Sequence, residues 1–178
     1  MKKLRLGIAL LAVVPAIGFA SDQGAYATVD VGAARYTNTQ FPNPGKIGLG
    51  GGYKFNKNFA ADIGLTIYGS STLRFAGVGD QKLTAYSFYP SVVGIIPFTP
   101  KFSAFGKLGF SSNHAKSSGV FGEATASSTS PYLGLGLEYD IIPKLGFRAQ
   151  YEYFGGFGTP APEIKASAVS IGLIVYFK

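Results

Sequence analysis

The chain has 178 residues, enough for one domain, and only 14% of them are charged against 47% hydrophobic and 15% aromatic. Soluble domains average about 25% charged residues, so part of this surface is expected to face something other than water. Cys is 0 and His is 1, which excludes a disulfide framework, a thiol nucleophile, a Cys-ligated zinc and a multi-His metal site; no cofactor is expected.

The N-terminus carries Lys2, Lys3 and Arg5, an apolar run over 6–14, and Pro15 before Gly18-Phe19-Ala20. This is the pattern of a secretory signal peptide, with cleavage predicted after Ala20. The expected domains are a cleaved segment 1–20 and a barrel domain 21–178. An anchoring helix is the alternative, but the apolar run is short and polar Ser21-Asp22-Gln23 follows it. Losing Lys2, Lys3 and Arg5 takes the 16 basic residues to 13, against 9 acidic ones. The residual charge is too small to argue for a nucleic-acid partner.

Beyond position 20 no run of about 18 apolar residues occurs, so no transmembrane helix is expected. Membrane-like composition without such a helix leaves the closed β-barrel, the other structure that satisfies its backbone hydrogen bonds inside lipid.

Eight segments with period-two alternation follow in chain order. Strand one covers 25–36, with Ala27, Val29, Val31 and Ala33 opposite Thr28, Asp30 and Gly32. Strand two covers 46–54, where Ile47, Leu49 and Tyr53 alternate with Gly48, Gly50 and Gly52. Strand three, 58–68, sets Phe59, Ala61, Ile63, Leu65 and Ile67 against Asp62, Gly64 and Thr66. Strand four, 82–96, contains Pro90; Phe88, Val92 and Ile96 are expected outside, with Ser87, Tyr89 and Ser91 inside. Strand five, 101–112, opposes Phe102, Ala104, Leu108 and Phe110 to Ser103, Lys107 and Ser111. Strand six, 130–139, opposes Leu133, Leu135, Leu137 and Tyr139 to Gly134, Gly136 and Glu138. Strand seven, 144–154, opposes Phe147, Ala149, Tyr151 and Tyr153 to Arg148, Gln150 and Glu152. Strand eight, 166–177, opposes Val169, Ile171, Leu173, Val175 and Phe177 to Ser170, Gly172 and Tyr176.

Three connections are short (55–57, 97–100 and 140–143). Four are long and polar or Gly-rich (37–45, 69–81, 113–129 and 155–165). That asymmetry is the outer-membrane barrel pattern, with short turns periplasmic. The fold class is therefore all-β, an eight-stranded antiparallel up-and-down transmembrane barrel in the bacterial outer membrane, with extracellular loops and both termini periplasmic. The competing soluble sandwich or lipocalin-like barrel would turn its apolar residues inward and let Asp62, Lys107, Glu138 and Arg148 face water.

Three stretches resemble the OmpA-like eight-stranded barrel family: Gly136-Leu137-Glu138-Tyr139 with Phe147-Arg148-Ala149-Gln150-Tyr151, Ser170-Ile171-Gly172-Leu173 with Tyr176-Phe177, and Gly51-Gly52-Tyr53-Lys54-Phe55-Asn56 through Asp62. Lys178 follows Phe177, where many relatives end on Phe, and no peptidoglycan-binding domain is expected after the barrel, so that family function is not carried over. The resemblance implies a lumenal salt-bridge network involving Asp62, Glu138 and Arg148; the family's lysine partner has no clear match on strand four.

The parity of the residues separately assigns Asp62, Lys107, Glu138, Arg148, Asp30 and Glu152 to the interior. Glu138 and Arg148 lie on strands joined by a tight turn, so a direct pair is expected. An eight-stranded barrel is only wide enough for its side chains to fill, and buried charges must be paired. A side-chain plug is the first reading, and a gated path for small solutes the second. The alternating glycines are expected to make room for larger side chains; no helix follows them, so they are not phosphate loops. Tyr53, Phe59, Phe102, Tyr139 and Phe177 suit an interface aromatic girdle. Lys54, Lys57, Lys101, Lys144 and Lys178 lie at the same ends, where anionic headgroups and plain solvent compete as their environment.

A lipid A-modifying enzyme is the third reading. It would draw on Ser111, Ser112, His114 and Glu123, but Asn113-His114-Ala115-Lys116 lacks the His-x-Ser arrangement of the deacylases, so no catalytic residue is assigned. The expected partners are outer-membrane lipids and lipopolysaccharide, with the insertion machinery reading the C-terminal strand. The chain is expected to be a monomer with an envelope-structural or surface-interaction role. An adhesin or phage-receptor role would reside in 113–129 and 38–45.

Overall fold

The computed structural model describes residues 23–37, 42–75, 79–120, 122–157 and 164–177. The expected signal segment 1–20 lies outside the described residues, as do residues 38–41 of the loop 38–45. Nine strands follow in chain order: β1 (Gly24–Thr37), β2 (Gly45–Lys54), β3 (Phe59–Tyr68), β4 (Ser71–Phe75), β5 (Gly79–Pro97), β6 (Phe102–Gly119), β7 (Gly122–Ile142), β8 (Leu145–Phe157) and β9 (Ile164–Phe177). Consecutive strands around the sheet pair antiparallel, and β1 also pairs with β9. β5 pairs first with β3, up to Ile67↔Tyr86, and then with β4, from Ser71↔Leu83 onward. β3 and β4 thus share one position in the ring, and the sheet closes as an eight-stranded barrel. Closure leaves no sheet edge within the ring to satisfy.

The turns at one end are fixed by local side-chain acceptors. Asn56 Oδ1 accepts from the N–H of Asn58 at 2.8 Å and of Phe59 at 2.9 Å. Thr99 Oγ1 does the same for Lys101 at 3.3 Å and Phe102 at 3.0 Å. Such Asx- and Thr-closed turns hold antiparallel strands together within a few residues.

The two faces are inverted relative to a water-soluble barrel. Leu135 is 67% exposed, Leu108 65% and Val92 61%, whereas Asp62, Lys107, Glu138 and Arg148 are each 5–7% exposed. The outer face is a continuous apolar band too large for a monomer standing in water. This is the arrangement of a barrel whose solvent outside is hydrocarbon.

The fourth strand of the ring, β5, keeps its alternation through Pro90. Phe88, Val92 and Ile96 are exposed, while Ser87, Tyr89 and Ser91 are buried. Bridges to β6 lapse at Tyr89 and Pro90 and resume in the same register at Ser91↔Gly109, while the ladder to β3 runs through Ile63↔Pro90. Proline lacks an N–H, and here the interruption is confined to one side. Gly109 answers it: a Cβ there would lie 2.0 Å from the Pro90 carbonyl oxygen.

Inward glycines make room for rings, as their alternation implied. A Cβ on Gly64 would sit 2.4 Å from the Tyr89 ring, and one on Gly136 would sit 2.4 Å from the Phe105 ring.

The long connections differ from expectation. Much of 69–81 is β4 and the start of β5, and 113–119 and 122–129 are not loop but the continuation of β6 and β7, paired from Asn113↔Ser128 to Gly119↔Gly122. β6 has 18 residues and β7 has 21, well beyond the 9–11 a tilted strand needs to cross a bilayer. Ser- and Gly-rich composition reads as a loop. Here alternate small side chains fit the pleat, and Gly122 at φ 94° supplies the turn conformation that L-residues rarely adopt. The result is a polar β-ribbon standing above the apolar band.

Candidate functional site

The lumen is the only region where the topology brings many ionisable groups of different strands together among the described residues. β2 and β1 face each other there through Lys46 and Asp30, whose Nζ and Oδ1 are 2.8 Å apart. Lys46 also contacts Glu152 of β8, and Glu152 accepts a 2.7 Å hydrogen bond from the Tyr132 hydroxyl. Lys107 of β6 lies 3.0 Å from Asp62 of β3, and Ser91 donates to the other oxygen of Asp62. Arg148 Nε donates to Glu138 Oε2 at 2.7 Å, and Tyr176 donates to Oε1 of the same carboxylate.

The ion-pair side chains are 0–8% exposed. Charges so far from water persist only when paired and hydrogen-bonded. Cation–π contacts add to this, with the Arg148 guanidinium 4.4 Å from the Phe105 ring centroid.

Aromatic clusters lie on either side of the charged belt. Tyr36, Tyr68, Tyr89, Tyr132 and Phe154 pack toward the ribbon end, with Tyr89 and Tyr132 stacked at 4.3 Å. Tyr26, Val93, Phe105 and Tyr176 pack toward the short-turn end. Charged and aromatic side chains thus occupy the cylinder at three successive levels.

The six interior residues singled out from the sequence fall into three groups: Asp62 with Lys107, Glu138 with Arg148, and Asp30 with Glu152 through Lys46. Lys46 was missed, although it shares the inward parity of Gly48, Gly50 and Gly52. Its position at the start of a strand hid it. Ser91 and Tyr176 take the inward side their alternation predicts, but their carboxylate partners, and Tyr132 with its own, are not legible, because a cross-lumen hydrogen bond leaves no trace in local sequence.

The outward aromatics Tyr53, Phe59, Tyr139 and Phe177 are exposed, and Phe102 is half-buried against Phe98 with centroids 5.8 Å apart. Phe55 and Phe98 extend the same belt past the strand ends. The lysines there divide. Lys57, Lys101 and Lys144 are exposed and Lys178 lies outside the described residues, but Lys54 turns inward with its Nζ 5.0 Å over the Tyr176 ring.

The serines near His114 split across the sheet. Ser111 faces the lumen and donates to the Phe154 carbonyl at 2.7 Å, beside Asn113, which donates to the Phe154 and Gly156 carbonyls at 2.9 and 3.2 Å. These side chains satisfy carbonyls at a bulge in β8, where the register shifts between Tyr153 and Gly156 and Gly155 adopts φ 65°. Ser112 and His114 lie on the other face. His114 Nδ1 is 2.8 Å from Ser127 Oγ and its ring stacks on Tyr86 at 4.9 Å. Ser112 Oγ is 3.4 Å from His114 Nε2, so a hydroxyl and an imidazole do meet here, but the far nitrogen of the ring faces Ser127 and the Glu123 carboxylate is 3.0 Å from Lys116. The orienting acid of a nucleophile–base–acid relay is therefore not in place among these residues.

The sequence pattern described as “Outer membrane protein beta-barrel domain” matches residues 6–177. Comparison with curated protein sequences gives no match. Among solved structures, the chain is similar to Ail, the attachment invasion locus protein of Yersinia pestis, in complex with the heparin analogue sucrose octasulfate; the TM-score is 0.63 at 22% identity, covering 87% of this chain and 98% of that one. It is also similar to Neisserial surface protein A, with TM-score 0.68 at 19% identity over 85% and 96% of the two chains. The outer membrane protein OprG from Pseudomonas aeruginosa gives TM-score 0.60 at 12% identity over 86% and 95%. At these identities the likeness concerns the fold.

Proposed function

This chain belongs to the outer-membrane protein β-barrel domain family, and we propose that it is a non-enzymatic barrel, plugged by its own side chains, that serves envelope structure or surface interaction. It is a bacterial outer-membrane protein. The observation that carries the proposal is the paired charge belt of Asp30, Lys46, Glu152, Asp62, Lys107, Glu138 and Arg148 between two aromatic clusters. A lumen so filled supports a wall better than a pore.

In this reading the short turns and both termini are periplasmic, and the β6–β7 ribbon stands outside the cell. The ribbon is polar, projects past the lipid band, and has the exposure that a surface contact needs. That the structurally similar proteins include an attachment invasion locus protein and a surface protein agrees with this role. The barrel is monomeric, contacts lipopolysaccharide in its outer leaflet, and is delivered through its C-terminal strand to the insertion machinery.

Planar-bilayer recording tests the plug. The wild type is expected to show no steady open level, and Arg148→Ala to stay closed, because Tyr26, Phe105 and Tyr176 still cross the lumen. Stepwise currents that rise in Arg148→Ala favour the second reading, a gated path for small solutes. That alternative draws on Lys46, whose sharing between two carboxylates offers a second pairing. Unchanged lipid A masses with and without expression would set aside the enzyme reading.

A further inference from the structure

The short-turn mouth of the barrel carries a recess that the plug does not use. A space of about 560 Å³ is lined by Lys54, Lys101, Asp140 and Tyr176, among others. A second, of about 420 Å³, adjoins it along Lys54, Pro100, Lys101 and Asp140 and adds Lys57 and Thr99. Three lysines therefore converge on one concavity against a single carboxylate among its described lining residues.

Their placement follows from the strand and turn geometry. Lys54 ends the inward series of β2, so its stem enters the mouth and its ammonium lies over the Tyr176 ring. Lys57 and Lys101 come from the two neighbouring turns, which Asn56 and Thr99 hold closed. Thr99 Oγ1 accepts from two backbone N–H groups of its own turn, so its hydroxyl proton is directed elsewhere. Deeper in, Glu138 is engaged by Arg148 and Tyr176.

We propose that this mouth binds a phosphate group, held by Lys54, Lys57 and Lys101 with the Thr99 hydroxyl as a further donor. Ammonium groups on flexible stems suit phosphate as point charges, and a concavity with low-dielectric walls raises the local concentration of an anion. Exposed Phe98, Ile141 and Ile142 surround the recess, which sets it at the boundary between lipid and water. The phosphate can therefore belong to an inner-leaflet phospholipid or to a soluble periplasmic compound. The assignment of side rests on the proposed orientation with short turns periplasmic.

The folded mature chain in maltoside micelles, which carry no phosphate, followed by amide NMR, separates the sources. One arm titrates inorganic phosphate; the other adds phosphatidylglycerol to the micelles without free phosphate. Saturable shifts at 54–57 and 99–101 in the first arm support a soluble ligand, and the same shifts in the second arm support the lipid. Lys54→Gln with Lys101→Gln should weaken the response about tenfold or more, as expected for loss of charge-assisted contacts. Shifts in neither arm, or shifts unchanged in the double variant, overturn the proposal. A heat-modifiable gel band from the same sample reports the barrel independently, so failure of the site and failure of the membrane reading are told apart.

Discussion

Lys46 Nζ sits 2.8 Å from Asp30 Oδ1 with its own side chain wholly removed from solvent, and it contacts Glu152 as well. One cation thus holds two carboxylates from β1 and β8, the strands that flank β9 in the ring. Removing it leaves two buried carboxylates facing each other. Lys46→Met is expected to destabilise the barrel by about 3–5 kcal/mol, the usual cost of breaking a buried pair. Urea unfolding followed by circular dichroism measures this, since the chain has no Trp. Adding Glu152→Gln should recover part of the loss; a loss below about 1 kcal/mol in the single variant would place the network nearer the surface value.

The apolar band makes a prediction that a soluble barrel does not. Leu108→Arg puts a guanidinium at a 65% exposed position in the middle of the band. It should cost about 2–4 kcal/mol in lipid, whereas Thr125→Arg on the ribbon should cost almost nothing. Equal, negligible effects in vesicle refolding would contradict a lipid environment for Leu108.

Steric room differs sharply between two glycines of adjacent strands. A Cβ on Gly109 would meet backbone at 2.0 Å, while one on Gly94 meets nothing within 4 Å. Gly109→Ala should destabilise by about 1–3 kcal/mol through overpacking. Gly94→Ala should be neutral or stabilising by up to about 1 kcal/mol through the unfolded state. Thermal shifts of the gel-mobility transition rank the two.

The ribbon should be reachable from outside the cell. A protease site inserted after Val120, beside the Gly119–Gly122 turn, is expected to be cut in intact cells, and one inserted after Lys57 only after the outer membrane is opened. The opposite result would reverse the orientation.

The C-terminal strand ends in exposed Phe177, paired to β1 through Ala25↔Phe177. Phe177→Ala should slow assembly in cells, read as the fraction of heat-modifiable band after a pulse. Unaltered assembly would remove this side chain from recognition by the insertion machinery.

Much of this was legible along the chain. Asp62, Lys107, Glu138 and Arg148 share a parity, and period two is a property of the strand itself, so their common side follows from counting. Glu138 and Arg148 could even be paired, because a tight turn fixes the register of the strands that carry them. Lys46 could not be paired in the same way. Its partners lie on β1 and β8, and β8 is brought near only when β9 closes the ring against β1.

The ribbon shows the opposite limit. Serine, alanine and glycine carry weak local preferences, so 113–129 composes like a loop and becomes a strand pair only because a partner strand stands beside it.

Of the interior with which the sequence pointed inward, then, alternation alone determined which residues leave the lipid, since each backbone step flips the side chain. Tertiary structure decided which of them meet: Lys46 with Asp30 and Glu152, Lys107 with Asp62, and Lys54 over Tyr176 at the mouth. The reason is that pairing across a lumen depends on barrel closure and strand stagger, which are set by the whole ring.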